Sequence, residues 1–552
     1  MSSGLTVVRV ALLLVLSLWS LGSLANDAIR ERMEAIHQGF AISALGEPLL
    51  ALDALSEFYS HREYALAWDR DEDRKAILDT IREAERHGLK PPDYHYNVLA
   101  TFAARSPDDL VPEARADLDL LLSDSLLLLT SHLLHGKVNK DSMKAEWTAS
   151  RRAQHVAKIV TQALENQQLL TLVDHLTPSP SGYRQLLTAR EFLQSLLSMP
   201  WEPINDGPTI RPGMTDNRLP LVRQRLIAMG DLMPTISLEE QVLERHYSDR
   251  LVAAVTRFQA RHGLTSDGLI GQRTLASLNM TPREKLAQLD ANLERWRWLP
   301  EDLGDTYIIV NIAGFELHMV KEGKEVLKTR VIVGRPYRQT PVFSDRIRYL
   351  VFNPTWTVPR SIMTEDQLPT IRQDPNYLQE MDFTVYRGWG ADRERVDPET
   401  VDWWLLSKNN FPFQLVQEPG PRNALGRVKF MFPNEFDIYL HDTPARSLFS
   451  RSERTFSSGC IRVEDPFRLA SLLLEEQDGW SGEHIERVVN SRELTTVYLK
   501  EPVPIHLEYR TTWVDGDGTL HFRNDIYERN PRLIAQLTES PRTLAPDQAR
   551  RD

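Results

Sequence analysis

The 552-residue chain predicts a multidomain α+β protein: a helical scaffold, then a small helical module, then a β-rich domain interrupted by a helical insertion. Three observations carry that prediction. From Asp27 to Trp201 apolar residues recur at helical spacing, with few strand-like runs. A stretch rich in Pro, Gly, Asn and Asp, Pro203 to Asn217, then reads as a linker. From Asp305 the apolar period falls to two, the signature of strands.

The elements follow in chain order. Arg9 precedes the apolar stretch Val10 to Leu21, and Ser23-Leu24-Ala25 offers small residues at the positions a signal peptidase reads. Residues 1–25 are therefore expected to be a signal peptide, cleaved after Ala25; an uncleaved membrane anchor is the alternative. Residues 26–205 form the scaffold. Within it Leu118 to Leu134 is apolar round most of its circumference, as a central helix buried by its neighbours would be. Gly88 to Asp93 is a helix stop and restart. His87, His95, His132 and His135 lack a metal-ligand spacing and read as structural.

Residues 215–282 read as a compact three-helix module. Val252, Val255, Phe258 and Gln259 share a helical face, Gly263 ends that helix, Asp267-Gly268 makes a turn, and Gly271 precedes the next helix. The β-rich domain spans 303–500. Tyr307–Val310, Phe315–Val320 and Val326–Val333 read as consecutive antiparallel strands, and Arg346–Phe352, Val428–Met431, Asp437–Leu440 and Thr496–Leu499 continue the pattern. Residues 363–423 break it with helix, loop and tryptophans, including a helical run at Pro398–Trp404, and read as an ordered lid. Residues 501–530 read as a β-hairpin extension, Ile505–Thr512 against Thr519–Arg523, and 531–552 as a tail.

Net charge −12 argues against nucleic acid as a partner. The chemistry points instead to Cys460, the one cysteine of the chain, in Phe456-Ser457-Ser458-Gly459-Cys460-Ile461-Arg462-Val463. A single cysteine cannot form an internal disulfide, and an exported chain that keeps one has a thiol to explain. Arg446, Arg451, Arg454 and Arg462 supply positive charge that would favour a thiolate. His441, at the end of an apolar strand pattern, is the nearby base; the N–H groups of Gly459 and Cys460 could face an oxyanion. Adjacent strand residues point to opposite faces, so the Asp442 carboxylate is not expected to orient the imidazole, and a backbone carbonyl is. One cysteine without a His pair makes a metal site improbable, no cofactor is expected, and no Gly-rich nucleotide loop is present.

At these residues the chain resembles the L,D-transpeptidase family, in its large periplasmic form. The marks are Val333 to Phe343, Phe352 to Pro359 and Tyr439 to Val463, while Phe258-Gln259, Gly263-Leu264 and Asp267-Gly268-x-x-Gly271-x-x-Thr274 resemble a peptidoglycan-binding domain. Where the wider family often has Ser-His-Gly-Cys, this chain has Ser457-Ser458-Gly459-Cys460, so His441 is the single nearby base. The resemblance implies a cysteine acyltransferase of Gram-negative periplasm, with Cys460 as nucleophile, His441 as general base and acid, Gly459 as oxyanion donor and Asp442 as the orienting carbonyl. It implies substrate contacts at Arg462, Ser458, Tyr439, Trp356, Asn353 and Tyr337, and acylation by carbapenems. Peptidoglycan tetrapeptide stems would be donor and acceptor of a 3→3 cross-link, and other wall-synthesis enzymes are candidate partners. The acceptor stays open: water, a D-amino acid or a lipoprotein would give a carboxypeptidase, an exchanger or an attaching enzyme, and a non-catalytic wall-binding protein is the reading outside enzymes.

Overall fold

The computed structural model describes residues 24–102, 105–139, 155–178, 181–234, 244–300, 303–374 and 376–544. The apolar segment 10–21 and the last residues, 545–552, lie outside that set. The expected cleavage point after Ala25 falls at the start of a helix over 24–37, in which Ala25 is buried.

The scaffold is organised round helix α1 (Pro112–His135), buried on all sides from Leu118 to Leu134. A helix without a polar face must satisfy its polar groups inside the protein. Asp119 accepts the Ala67 and Trp68 N–H groups and the Tyr59 hydroxyl; Asp124 accepts the Leu50 and Ala51 N–H groups and lies 2.9 Å from the His95 ring. The preceding loops therefore hang on one helix. His87 and His132 are buried against the Tyr183 and Tyr94 hydroxyls. Helix α2 (Ser181–Ser195), within the expected scaffold, also packs on the β-domain: its buried face, with Tyr183, Leu186, Leu187 and Leu193, joins the cluster that holds Ile308 and Val310.

In the small module, helices α3 (Asp249–Arg261) and α4 (Gln272–Asn279) enclose a separate core of Val222, Leu226, Leu251, Val255, Phe258 and Leu275. Gln259 is buried, and its amide donates to the Leu269 carbonyl and Asp267 carboxylate while accepting the Gly268 N–H. The repeated Gln and Asp-Gly of the motif are thus one hydrogen-bonded knot. Helix α5 (Pro282–Arg297) follows, started by a capping box in which Thr281 and Glu284 bond each other's backbone. It links scaffold, small module and β-domain: Lys285 donates to the Ser277 and Met280 carbonyls, Gln288 to those of Thr511 and Arg523, and buried Glu294 accepts the Val138 N–H and the Arg297 guanidinium.

The β-domain is a sheet closed on itself. Its strands are β1 (Thr306–Asn311), β2 (Glu316–Lys321), β3 (Lys324–Gly334) and β4 (Ser344–Phe352), then, beyond the insertion, β9 (Val428–Met431), β10 (Leu440–His441), β11 (Thr455–Ser457), β12 (Ile461–Val463) and β13 (Thr495–Glu508). The order round the ring is β3-β12-β10-β9-β4-β13-β1-β2, with β2 pairing back to β3 and β11 lying parallel to the end of β3. The insertion contributes β5 (Trp356–Thr357), β6 (Phe383–Arg387), β7 (Glu394–Val396) and β8 (Phe413–Gln417), in the order β5-β8-β6-β7 over its own core of Met363, Leu368, Val385, Phe411 and Leu415. It is a small cap domain; the expected helix at Pro398–Trp404 shrinks to one turn, Pro398–Thr400.

Two C-terminal expectations are corrected. Ile505–Glu508 is no hairpin arm: β13 runs unbroken through residue 500 and pairs parallel with β1, so it belongs to the closed sheet. The hairpin is the shorter pair β14 (Thr512–Val514) and β15 (Leu520–Phe522). Within the expected tail, Asn530–Thr538 is a helix that buries Leu533 and Leu537 in the main core.

Candidate active site

The site grows from three short strands. Alternation along β9, β10 and β12 sends Val428, Phe430, Leu440, Ile461 and Val463 into the core. The intervening residues form a row on the other face, Lys429 across from His441 and His441 across from Arg462. Because β10 and β12 run parallel, the residues just before them also meet: the Ile461 N–H donates to the Tyr439 carbonyl at 3.1 Å, and Cys460 lies beside Tyr439.

His441 is buried, and its Nδ1 lies 2.6 Å from the Asp442 carbonyl oxygen. A carbonyl can only accept, so Nδ1 carries the proton and donates. Burial first, then the Arg462 charge, pushes the imidazole pKa down to about 3, which keeps the ring neutral. The Asp442 carboxylate is engaged elsewhere, accepting the Arg427 N–H at 2.9 Å.

Cys460 is half-buried, with its sulfur 3.7 Å from the Asp437 carbonyl oxygen. Among the described residues no hydrogen bond joins it to His441. Burial raises the thiol pKa; Tyr439, Arg462 and Lys429 oppose that rise. The expectation that four arginines depress the thiol is therefore corrected. Buried Arg454 turns away to the Phe315 and Val331 carbonyls, Arg446 reaches the Glu464 carbonyl, and Arg451 is exposed, so Arg462 alone of the four acts on the sulfur.

Gly459 is also corrected as an oxyanion donor, because its N–H already donates to Ser457 Oγ at 3.2 Å. Among the described residues the Cys460 N–H has no acceptor and is the free donor at that position. Gly459 itself stands at φ +119°, where a side chain is strained, and a Cβ there would come 3.3 Å from Ile438 Cδ1. Its carbonyl accepts the Thr340 hydroxyl at 2.7 Å; that hydroxyl accepts the Gly334 N–H, and Tyr527 Oη donates to the Gly334 carbonyl at 2.6 Å.

Of the expected substrate residues, three line the thiol. Tyr439 lies against the sulfur, Arg462 has a buried Nε with no hydrogen-bond partner, and the Ser458 hydroxyl accepts Arg338 at 2.9 Å. Three do not. Asn353 is fully buried and bonds the Val488 and Glu493 carbonyls and Arg427, which makes it a post under helix Gly482–Ser491. Trp356 packs on Phe383 in the cap core. Tyr337 is 71% exposed and pairs with Arg335. Three residues near the thiol went unsuspected: Lys429, Thr340 and Arg338, the last bridging Ser458 to Glu365 and Asp366 of the cap. Lys429 shows only as the polar member of an alternating Val-Lys-Phe-Met run, and its neighbours across the sheet are not written locally.

Comparison with known families adds three matches: the L,D-transpeptidase catalytic domain over residues 305–505, a scaffold domain over 53–189, and a peptidoglycan binding domain over 215–278. Residues 305–505 are thus similar to an L,D-transpeptidase catalytic domain. A Haemophilus influenzae protein assigned by name to the L,D-transpeptidases is 34% identical over 304 residues, 54% of this chain. The chain covers 60% of that relative's length. Similar solved structures include the L,D-transpeptidase of Stackebrandtia nassauensis, 14% identical with a TM-score of 0.22 over 56% of this chain and 98% of that one. Another is the L,D-transpeptidase of Mycobacterium smegmatis, 11% identical with a TM-score of 0.18 over 37% and 58%. At those scores the likeness carries no argument here. Within the matched residues 305–505, His441 lies on β10 and Cys460 directly precedes the neighbouring strand β12.

Proposed function

We propose that the chain is a peptidoglycan L,D-transpeptidase that forms 3→3 cross-links through a thioester on Cys460. The observation that carries this reading is the parallel pairing of β10 with β12, which puts Cys460 beside Tyr439, two residues along the strand from a neutral His441 fixed by the Asp442 carbonyl. In the first step Cys460 sulfur attacks the carbonyl of the diaminopimelate residue in a tetrapeptide stem, and His441 takes the thiol proton. The Cys460 N–H, free of other acceptors, donates to the developing oxyanion. His441 then passes its proton to the departing D-alanine amine, leaving the thioester. The side-chain amine of a second stem attacks that thioester, and its proton returns through His441 to the sulfur. The small helical module would hold the wall while this occurs, and the apolar segment 10–21 would export the chain to the periplasm.

Purified tetrapeptide muropeptides test donor, acceptor and bond type together. The parent should yield 3→3 dimers, and Cys460→Ala should yield none while keeping its circular dichroism spectrum. His441→Ala should slow thioester formation by at least about 100-fold. Normal dimer yield from Cys460→Ala would remove the nucleophile assignment.

A further inference from the structure

Lys429, His441 and Arg462 stand side by side across three strands. Like charges directly opposite one another weaken a sheet, yet Lys429 and Arg462 flank a histidine that their charge helps to keep neutral. Among the described residues neither cation has a carboxylate or a hydrogen-bond acceptor; the nearest aromatic support is the Tyr439 ring, 5.2 Å from Lys429 Nζ. Arg462 Nε is buried with no partner at all. By contrast Arg338, close by, is matched by Glu365 and Asp366, and Arg330 by Glu464. Groups facing the two cations are the Cys460 thiol, the Tyr439 phenol, neutral His441 and a third cation, Arg335. Two half-buried cations beside a nucleophile, left without an anion, form a receptor for one.

We propose that Lys429 and Arg462 form a subsite for the terminal carboxylate of the donor's leaving residue. This rests on the reading of Cys460 as the acylated nucleophile. A D-alanine at the end of a tetrapeptide carries its carboxylate two bonds from the nitrogen of the bond to be cut. A carboxylate held between β9 and β12 therefore brings the scissile carbonyl to the sulfur. The subsite would select stems whose fourth residue is terminal over stems that continue, because a peptide bond there offers no charge.

Two measurements on the full chain separate the subsite from the reading it rests on. The first alkylates Cys460 with iodoacetate and with iodoacetamide, which differ in carrying a carboxylate or a neutral amide. The ratio of the two rates should fall about tenfold in Lys429→Met and in Lys429→Gln, and should be held by Lys429→Arg. Equal slowing with both reagents would make Lys429 a partner of the thiolate alone, and unchanged rates with both would remove it from the site; either overturns the subsite whatever the substrate is. The second follows thioester formation by intact mass, using tetrapeptide donors that end in D-alanine or D-alaninamide. The parent should favour the free acid by at least about tenfold, and Lys429→Met should lose that preference, its rate falling about tenfold more with the free acid than with the amide. A parent indifferent to the two donors overturns the subsite but leaves the transpeptidase reading standing. A parent that forms no thioester with either overturns both.

Discussion

Thr340 shows how closely single side chains set the thiol. It is fully buried, and its hydroxyl at once donates to the Gly459 carbonyl and accepts the Gly334 N–H. Valine has the same shape but neither function, so Thr340→Val would leave a carbonyl and an N–H without partners inside the protein. The expected loss is about 1–3 kcal/mol, read as a lower urea midpoint. The same variant should slow acylation, because the Cys460 N–H follows directly on the released Gly459 carbonyl. Gly459 bears on the same point from the backbone side, since its φ of +119° is a conformation that only glycine adopts without strain.

At the scale of elements, the cap and the loop that carries Cys460 are joined through Arg338, which bonds Ser458 on one side and Glu365 and Asp366 on the other. Such part-exposed ion pairs contribute little to global stability. Arg338→Gln should therefore leave the melting temperature nearly unchanged while speeding hydrogen exchange in residues 360–373 of the cap. Elements also differ in how far the sequence reveals them. β1, β2 and β3 are legible because each pairs with its neighbour in the chain and alternates cleanly. β10 is shorter than expected because Asn434 ties the preceding residues into a turn, its amide bonding the Phe432 and Ile438 carbonyls. β13 was misread because its partners, β1 and β4, lie far back in the chain, and a local run of alternating residues does not name a distant partner. The cysteine and histidine of the site are legible for the opposite reason: their residue types and short separation declare the chemistry without any register. Lys429 joins them only through that register, and Asn353, a conspicuous polar residue in a quoted motif, proves to be scaffolding.

For the whole molecule, helix α5 is the common member. Glu294 and Arg297, buried as a pair, connect it to Val138 and to the His87 carbonyl, while Gln288 and Asn292 hold the segment at Thr511. Glu294→Gln leaves a buried guanidinium without its counter-charge, at a cost of about 3–5 kcal/mol. Calorimetry should then show the scaffold melting apart from the β-domain, where the parent melts in one transition. Acid should act on the molecule as a whole as well. Burial holds His87, His132 and His441 each down at about 3, with Arg297, Lys137 and Arg462 respectively adding to the effect. Unfolded, each would titrate near 6.5, so between about pH 6.5 and 3 the unfolded chain binds protons that the native one refuses. Stability should fall through that window, and urea midpoints at pH 7 and pH 5 with proton uptake on unfolding would measure it.

The bond from Tyr527 to the Gly334 carbonyl has a consequence in time. A polypeptide emerges from the ribosome from its N-terminus, and domains fold as their parts arrive. Scaffold, small module and the whole closed sheet precede the segment around Tyr527, yet the loop that fixes Gly459 and Cys460 is completed only by that late arrival. Until then Cys460 has no finished setting, so the growing chain reaches its final stretch before the surroundings of its thiol are formed.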